Sequence, residues 1–120
     1  MKVFIVEDST LLCERLVDML SELEKIEIVG KAEHPLEAIN SIRRLQPDVV
    51  ILDISILGGS GINVLENIKK DKLSPIVIMF TNSHTQQYRK KCMDAGADFF
   101  LDKSIEFEKM IDIFIELTAS

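Results

Sequence analysis

The stretch Asp48-Val49-Val50-Ile51-Leu52-Asp53 decides the fold of this sequence of 120 residues. Its central residues are apolar without a break, which predicts a strand that is buried on both faces. A strand of this kind belongs to a parallel sheet with helices packed on each side. The rest of the chain is therefore expected to alternate between short apolar runs and amphipathic helices.

Other short apolar runs predict the remaining strands of this sheet, at residues 3–6, 26–30, 76–80 and 98–101. Apolar residues at helical spacing predict helices at residues 12–23, 35–45, 62–70 and 104–117, and a further helix is predicted at residues 83–95, which Gly96 would end. Ser83 followed by Gln86 is a capping-box pattern, which indicates where the fourth helix begins. This succession of β-α units predicts an α/β fold, a doubly wound five-stranded parallel sheet with five helices of the flavodoxin-like type.

Composition and charge exclude several classes of protein. The net charge of −6 argues against direct binding of nucleic acid by this domain. Two cysteines, Cys13 and Cys92, cannot build a disulfide framework and indicate free thiols in a reducing compartment. No apolar run approaches the ~20 residues of a membrane span, and the first residues turn acidic too soon for a signal peptide. We expect a single cytoplasmic domain over residues 1–120, with no output domain and no membrane segment.

Polar side chains follow four of the predicted strands at the edge where a doubly wound sheet binds its ligands. Glu7 and Asp8 follow the first strand, Asp53 the third, Thr81 the fourth and Lys103 the fifth. Each residue alone could be a helix cap, a turn residue or a solvated charge, so the joint arrangement carries the argument. Three close carboxylates repel one another, and Mg²⁺, which prefers oxygen ligands, would relieve that cost. A carboxylate beside such an ion, with an ammonium group nearby, can attack a phosphoryl group.

The sequence resembles a response-regulator receiver domain of two-component signalling from Lys2 to about Thr118. The shared motifs are Glu7-Asp8, Asp53 followed eight residues later by Gly61, Thr81, and Lys103, each at the end of a predicted strand or in the loop after it. By resemblance, Asp53 is the phosphoacceptor. The resemblance also implies that Asp8 would bind Mg²⁺ directly and Glu7 mainly through water, and that Asp53 and the backbone carbonyl of Ser55 would complete the protein ligands.

The same resemblance implies how a phosphoryl group would be held and detected. Thr81 and Lys103 would contact the phosphoryl group, and Phe100 stands where the family carries an aromatic switch residue. The implied function is a phosphorylation-dependent switch that accepts a phosphoryl group on Asp53 from a histidine kinase or phosphotransfer protein. A downstream protein would read the change, with phosphorylation-linked dimerisation left open. Such a domain is not an enzyme beyond its own dephosphorylation. The alternative is a receiver fragment of a longer DNA-binding response regulator. It is suggested by residues 28–32, which resemble the same stretch in receivers that precede a helix-turn-helix domain.

Two rival classes fit the same fold but not these residues. An aspartate-nucleophile phosphohydrolase needs a carboxylate two residues after the nucleophile, where this chain has Ser55. A flavodoxin-like nucleotide-binding module needs a phosphate-cradling loop after the first strand, where Glu7 and Asp8 would repel phosphate.

Four positions depart from the usual family pattern. Leu57 and Ser104 stand where proline is common, Asn82 replaces a small residue, and Phe100 lacks a tyrosine hydroxyl. Because Leu57 stands in place of a proline, the glycine-rich loop of residues 58–61 is expected to be more mobile. The geometry of the peptide bond before Ser104 stays open. Loss of a phosphoryl group from Asp53 needs a water that is placed to attack phosphorus. The side chains of Ser55 and Ser83 are too short to orient that water, and Asn82 adds bulk beside the phosphoryl group, so self-dephosphorylation is expected to be slow.

Overall fold

The computed structural model describes residues 1–71, 74–82 and 85–119. Five parallel strands form one sheet in the order β2-β1-β3-β6-β7, and two short antiparallel strands form a hairpin. The strands are β1 (Lys2–Val6), β2 (Glu27–Ala32), β3 (Val49–Leu52), β4 (Ser55–Ile56), β5 (Gly59–Ser60), β6 (Ile76–Thr81) and β7 (Phe99–Asp102). The predicted five-stranded parallel sheet is confirmed, and the β4–β5 hairpin is an addition to it.

Helices cover both faces of the sheet. They are α1 (Thr10–Ser21), α2 (Pro35–Leu45), α3 (Gly61–Lys70), α4 (Gln86–Asp94) and α5 (Lys109–Thr118). One buried cluster joins alternate strand residues to α2, α3 and α4, and a second joins the other strand residues to α1 and α5. The chain is therefore doubly wound, as predicted. No helix within the described ranges is long and apolar enough to cross a membrane.

Strand β3 shows why its sequence is apolar without a break. Val49 and Ile51 belong to the cluster under α1 and α5, whereas Val50 and Leu52 belong to the cluster under α2, α3 and α4. None of the four side chains is more than 1% exposed. Burial of a side chain of this size contributes roughly 1.5–3 kcal/mol, so either face would be costly to make polar. This central position of β3 fixes where the residue after it, Asp53, lies.

Helix α5 begins at Lys109, five residues later than predicted. The segment before it forms turns, because side chains compete with the helix for backbone groups. The N–H of Ser104 donates to the carboxylate of Asp102 at 2.7 Å, and the N–H of Asp102 donates to the carboxylate of Glu106 at 3.0 Å. These bonds hold the residues that follow β7 in turns rather than in a helix.

Helix α4 begins at Gln86, and its N-cap is Thr85, whose hydroxyl accepts the N–H of Tyr88 at 3.3 Å. The predicted cap Ser83 lies outside the described residues. Two further boundaries differ from prediction: α1 ends at Ser21 rather than at residue 23, and β2 runs to Ala32. Strand β2 is longer because it pairs with all of β1, which the isolated run of residues 26–30 does not reveal.

Candidate functional site

Backbone hydrogen bonds just beyond the strand ends hold the backbone of two candidate residues, Asp53 and Lys103, in place. The N–H of Asp53 donates to the carbonyl of Val6 at 3.1 Å, which continues the pairing of β1 with β3 by one residue. The N–H of Lys103 donates to the carbonyl of Thr81 at 3.2 Å and does the same for β6 and β7. The four neighbouring strands β1, β3, β6 and β7 thus carry the candidate residues to one edge of the sheet, as predicted.

Lys103 joins two of the acidic residues directly. Its ammonium nitrogen lies 2.5 Å from Oε1 of Glu7 and 2.6 Å from Oδ2 of Asp53. Burial acts to lower the pKa of Lys103, but hydrogen bonds to Asp53 and Glu7 outweigh it and raise that pKa. Lys103 is therefore a cation at neutral pH, and it offsets part of the repulsion between the two carboxylates.

The three acids form a compact group of hard oxygen donors. Glu7, Asp8 and Asp53 each offer a carboxylate oxygen within 4.8 Å of the others. Burial raises the pKa of Glu7, although hydrogen bonds from Lys103 and from the N–H of Ser9 oppose that rise. Carboxylates at this spacing match the oxygen ligands and the small number of protein contacts that Mg²⁺ takes. The donor set therefore fits a divalent cation.

Ser55 lies close to the predicted phosphoacceptor. Its N–H donates to Oδ1 of Asp53 at 3.3 Å, so the turn after β3 orients that carboxylate. The hairpin that follows is held to the neighbouring loop, because the N–H of Leu57 donates to the carbonyl of Glu33 at 3.1 Å. Gly58 has a φ of +77°, which favours glycine at that turn. The predicted role of the Ser55 carbonyl in binding metal stays a prediction.

The two predicted switch residues lie on adjacent strands, and both are buried. Thr81 ends β6 with no exposed surface, and Phe100 in β7 is 6% exposed. The Phe100 ring packs in the cluster under α2, α3 and α4, and the guanidinium of Arg89 lies 5.6 Å from its centroid. Phe100 is thus on the sheet face beside α4. The switch role of these two residues stays a prediction.

Gly61 has a structural role that the sequence marks only by its spacing from Asp53. A Cβ atom at Gly61 would lie 1.8 Å from the backbone oxygen of Asp53 and 2.8 Å from its carbonyl carbon. The N–H of Gly61 also donates to the carbonyl of Ile54 at 2.7 Å. The first residue of α3 is therefore pressed against the backbone that carries Asp53, and only glycine fits there.

Asn82 and Ser104 form a contact that the sequence does not reveal. The hydroxyl of Ser104 donates to Oδ1 of Asn82 at 2.9 Å, across 22 residues of chain. Both residues line a cleft of about 320 Å³ beside Lys103, together with Ser9 and Arg15. The peptide bond before Ser104 is trans.

The comparison with known families agrees with this geometry. The family model of the response regulator receiver domain matches residues 3–115. The chain belongs to the response regulator receiver domain family. It is a receiver domain of two-component signal transduction, a regulatory phosphoacceptor domain, and domains of this family interact with kinases and downstream effectors.

Curated relatives carry the same domain within longer proteins. The DNA-binding transcriptional activator EvgA of Escherichia coli K12 is 34% identical over 120 residues, which is all of this chain and 57% of that protein. A protein-glutamate methylesterase/protein-glutamine glutaminase of Syntrophomonas wolfei is 35% identical over 105 residues, covering 86% of this chain and 30% of that protein. The chain therefore spans about a third to just over half of the length of these relatives.

Solved structures show the same fold. A chain of the CheX-CheY-BeF3-Mg²⁺ complex from Borrelia burgdorferi has a TM-score of 0.89 at 26% identity, covering all of this chain and 90% of that one. The response regulator domain of Thermotoga maritima CheB has a TM-score of 0.84 at 27% identity, covering 98% of this chain and 92% of that one.

Proposed function

We propose that this domain accepts a phosphoryl group on Asp53, with Mg²⁺ held by Asp8, Asp53, the Ser55 carbonyl and, through water, Glu7. The observation that carries the proposal is the contact of Lys103 with Asp53 beside two further carboxylates. A bound Mg²⁺ would supply positive charge to neutralise the incoming phosphoryl oxygens. The solved complex from Borrelia burgdorferi contains BeF3 and Mg²⁺, which supports carrying this ligand pair to the present chain.

The chain's own residues account for the transfer step. One Asp53 carboxylate oxygen forms a bond to phosphorus while the bond from phosphorus to the donor's leaving group breaks, and the leaving group takes that electron pair. The Lys103 ammonium, which already touches Oδ2 of Asp53, would turn to a phosphoryl oxygen. The hydroxyl of Thr81 would bind another phosphoryl oxygen, and Phe100 on the adjacent strand would move into the space that Thr81 leaves.

The proposed donor is a histidine kinase or a phosphotransfer protein, and the proposed reader is a downstream protein that binds one of two conformations. The only reaction that we assign to the domain as an enzyme is the hydrolysis of its own phosphoryl group. The cytoplasmic location expected from the two free cysteines stays a prediction.

A direct test is incubation with acetyl phosphate and Mg²⁺ followed by intact-mass measurement. Wild type should gain one phosphoryl group, hydroxylamine should remove it, and Asp53→Asn should gain none. Asp48→Asn is the matched control, because Asp48 precedes the same strand at its opposite end and accepts the N–H of Lys2 there. An unchanged adduct in Asp53→Asn would contradict the assignment. Chelation of Mg²⁺ should prevent the reaction in wild type.

The second candidate is that this receiver belongs to a longer DNA-binding response regulator. The match to EvgA, which covers all of this chain but 57% of that activator, favours it. The match to the methylesterase of Syntrophomonas wolfei shows that other outputs accompany the same domain. Determining the length of the native open reading frame, and the mass of the protein in its own cell, would separate these possibilities from a receiver that acts alone.

A further inference from the structure

The cleft of about 320 Å³ beside Lys103 lies between α1 and the residues that follow β7. Lys103 lines one side of this cleft, and Ser9, Leu12 and Arg15 line the other. The ammonium nitrogen of Lys103 also lies 2.6 Å from Oδ2 of Asp53. Lys103 therefore links the cleft to the proposed phosphoacceptor.

Arg15 is the cation on the α1 side of the cleft. Its guanidinium lies 4.5 Å from the centroid of the Phe107 ring, and this contact restrains the side chain. A guanidinium over an aromatic ring keeps the N–H donors in its own plane for other partners. Within residues 1–71, 74–82 and 85–119, Arg15 forms no ion pair with a carboxylate. Its charge can therefore act on an anion that enters the cleft.

The same side of the cleft combines a hydroxyl group with apolar surface. The hydroxyl oxygen of Ser9 accepts the N–H of Leu12 at 3.3 Å, so the Ser9 O–H can donate to a ligand. Leu11 is 68% exposed and lines the cleft together with Leu12. Two cations, a hydroxyl donor and two leucines suit a small carboxylate that carries a short alkyl group.

We propose that this cleft is a subsite for the acyl leaving group of a small acyl phosphate, and that Arg15 favours acyl phosphates over other small phosphodonors. This inference rests on the proposed function. In the transfer, an oxygen of Asp53 forms a bond to phosphorus while the bond from phosphorus to the acyl oxygen breaks. The acyl oxygen keeps the electron pair and leaves as a carboxylate, so no proton is needed. Negative charge grows on that oxygen as the bond breaks, and Arg15 stabilises it.

Phosphoramidate is the comparison donor, because its protonated nitrogen takes the electron pair and leaves as neutral ammonia. Arg15→Gln should lower the second-order rate constant for acetyl phosphate by about two- to fivefold, as expected for an exposed pair of charges. The rate constant for phosphoramidate should stay near that of wild type. Arg15→Lys keeps the charge and should react like wild type with both donors. Added salt should reduce the difference between Arg15→Gln and wild type with acetyl phosphate.

The experiment follows the phosphorylated mass over time at several concentrations of each donor in saturating Mg²⁺. It compares wild type with Arg15→Gln, Arg15→Lys and Arg43→Gln. Arg43→Gln is the matched control, because it changes the net charge equally at the opposite end of the sheet, where Arg43 pairs with Asp71 at 2.9 Å. This control should leave both rate constants unchanged.

Three outcomes overturn the inference alone. An equal loss of rate with both donors in Arg15→Gln would show that Arg15 only supports the structure. An unchanged rate constant for acetyl phosphate in that variant would show that Arg15 does not act on the leaving group. An equal loss in Arg43→Gln would assign the effect to net charge. These outcomes leave phosphorylation of Asp53 intact, whereas failure of both donors to phosphorylate wild type would overturn the proposed function as well.

Discussion

Replacing Gly61 with alanine tests how closely the site depends on the backbone behind Asp53. The added Cβ would lie 1.8 Å from the Asp53 oxygen and 3.2 Å from Cα of Ile54. The close atoms belong to the backbone, so no change of side-chain rotamer relieves the contact. Either the first turn of α3 or the end of β3 must move by about 1.2 Å to reach the 3.0 Å that real contacts require.

The cost of this displacement follows from two opposing terms. Overpacking a well-packed site costs about 1–3 kcal/mol, and a clash with backbone belongs at the upper end of that range. Alanine recovers up to about 1 kcal/mol over glycine by its better helix propensity. We expect Gly61→Ala to lose about 2 kcal/mol of unfolding free energy. Because the displaced backbone carries Asp53, phosphorylation by acetyl phosphate should slow about a hundredfold.

Urea unfolding followed by circular dichroism gives the stability, and intact-mass kinetics with acetyl phosphate and Mg²⁺ give the rate. Gly59→Ala is the matched control. Its Cβ would meet a ring carbon of Pro35 at 2.8 Å rather than the backbone of Asp53. It should lose some stability but keep a rate close to wild type. If Gly61→Ala keeps the wild-type rate, or if Gly59→Ala slows the reaction as much, the argument from backbone position is wrong.

Further predictions address the metal, the switch and the lifetime of the phosphoryl group. Asp8→Ala should weaken Mg²⁺ binding by about tenfold or more and should slow phosphorylation. The free energy of unfolding without metal should hold or rise, because one of three like charges is removed. Normal phosphorylation of this variant at low Mg²⁺, measured by intact mass, would place the metal elsewhere. Thr81→Ala should still take up phosphate on Asp53, but the NMR shifts around Phe100 and α4 should change less than in wild type; a full response would separate Thr81 from the switch. The phosphorylated domain should lose phosphate slowly, and Ser55→Asn should speed that loss by orienting a water. Loss of the phosphoryl group from wild type within seconds would contradict the argument that Asn82 and the short serine side chains slow the attack of water.

The sheet and its site were predictable because their signals are local. The unbroken apolar run of β3 marks a strand buried on both faces, and its place in both core clusters confirms this. The acidic pair Glu7-Asp8, Asp53 and Lys103 each follow a strand directly, so parallel topology alone brings them to one edge. Their convergence needs no knowledge of side-chain packing.

The remaining features depend on contacts between distant parts of the chain. The late start of α5 follows from the carboxylates of Asp102 and Glu106, whose bonds to the backbone no helical pattern shows. The constraint on Gly61 comes from its approach to Asp53 in space, and sequence gives only the spacing. Asn82 and Ser104 each look like an isolated departure from a family pattern until the fold places them 2.9 Å apart.

The central claim is that the carboxylate of Asp53 carries the phosphoryl group. Borohydride reduction of the protein after reaction with a phosphodonor and Mg²⁺ converts an aspartyl phosphate to homoserine, and peptide mapping then locates the modified residue. The account predicts homoserine at position 53 and at none of the other aspartates, Asp8 included. Homoserine at another position, or phosphate retained on a residue that borohydride leaves unchanged, would contradict it.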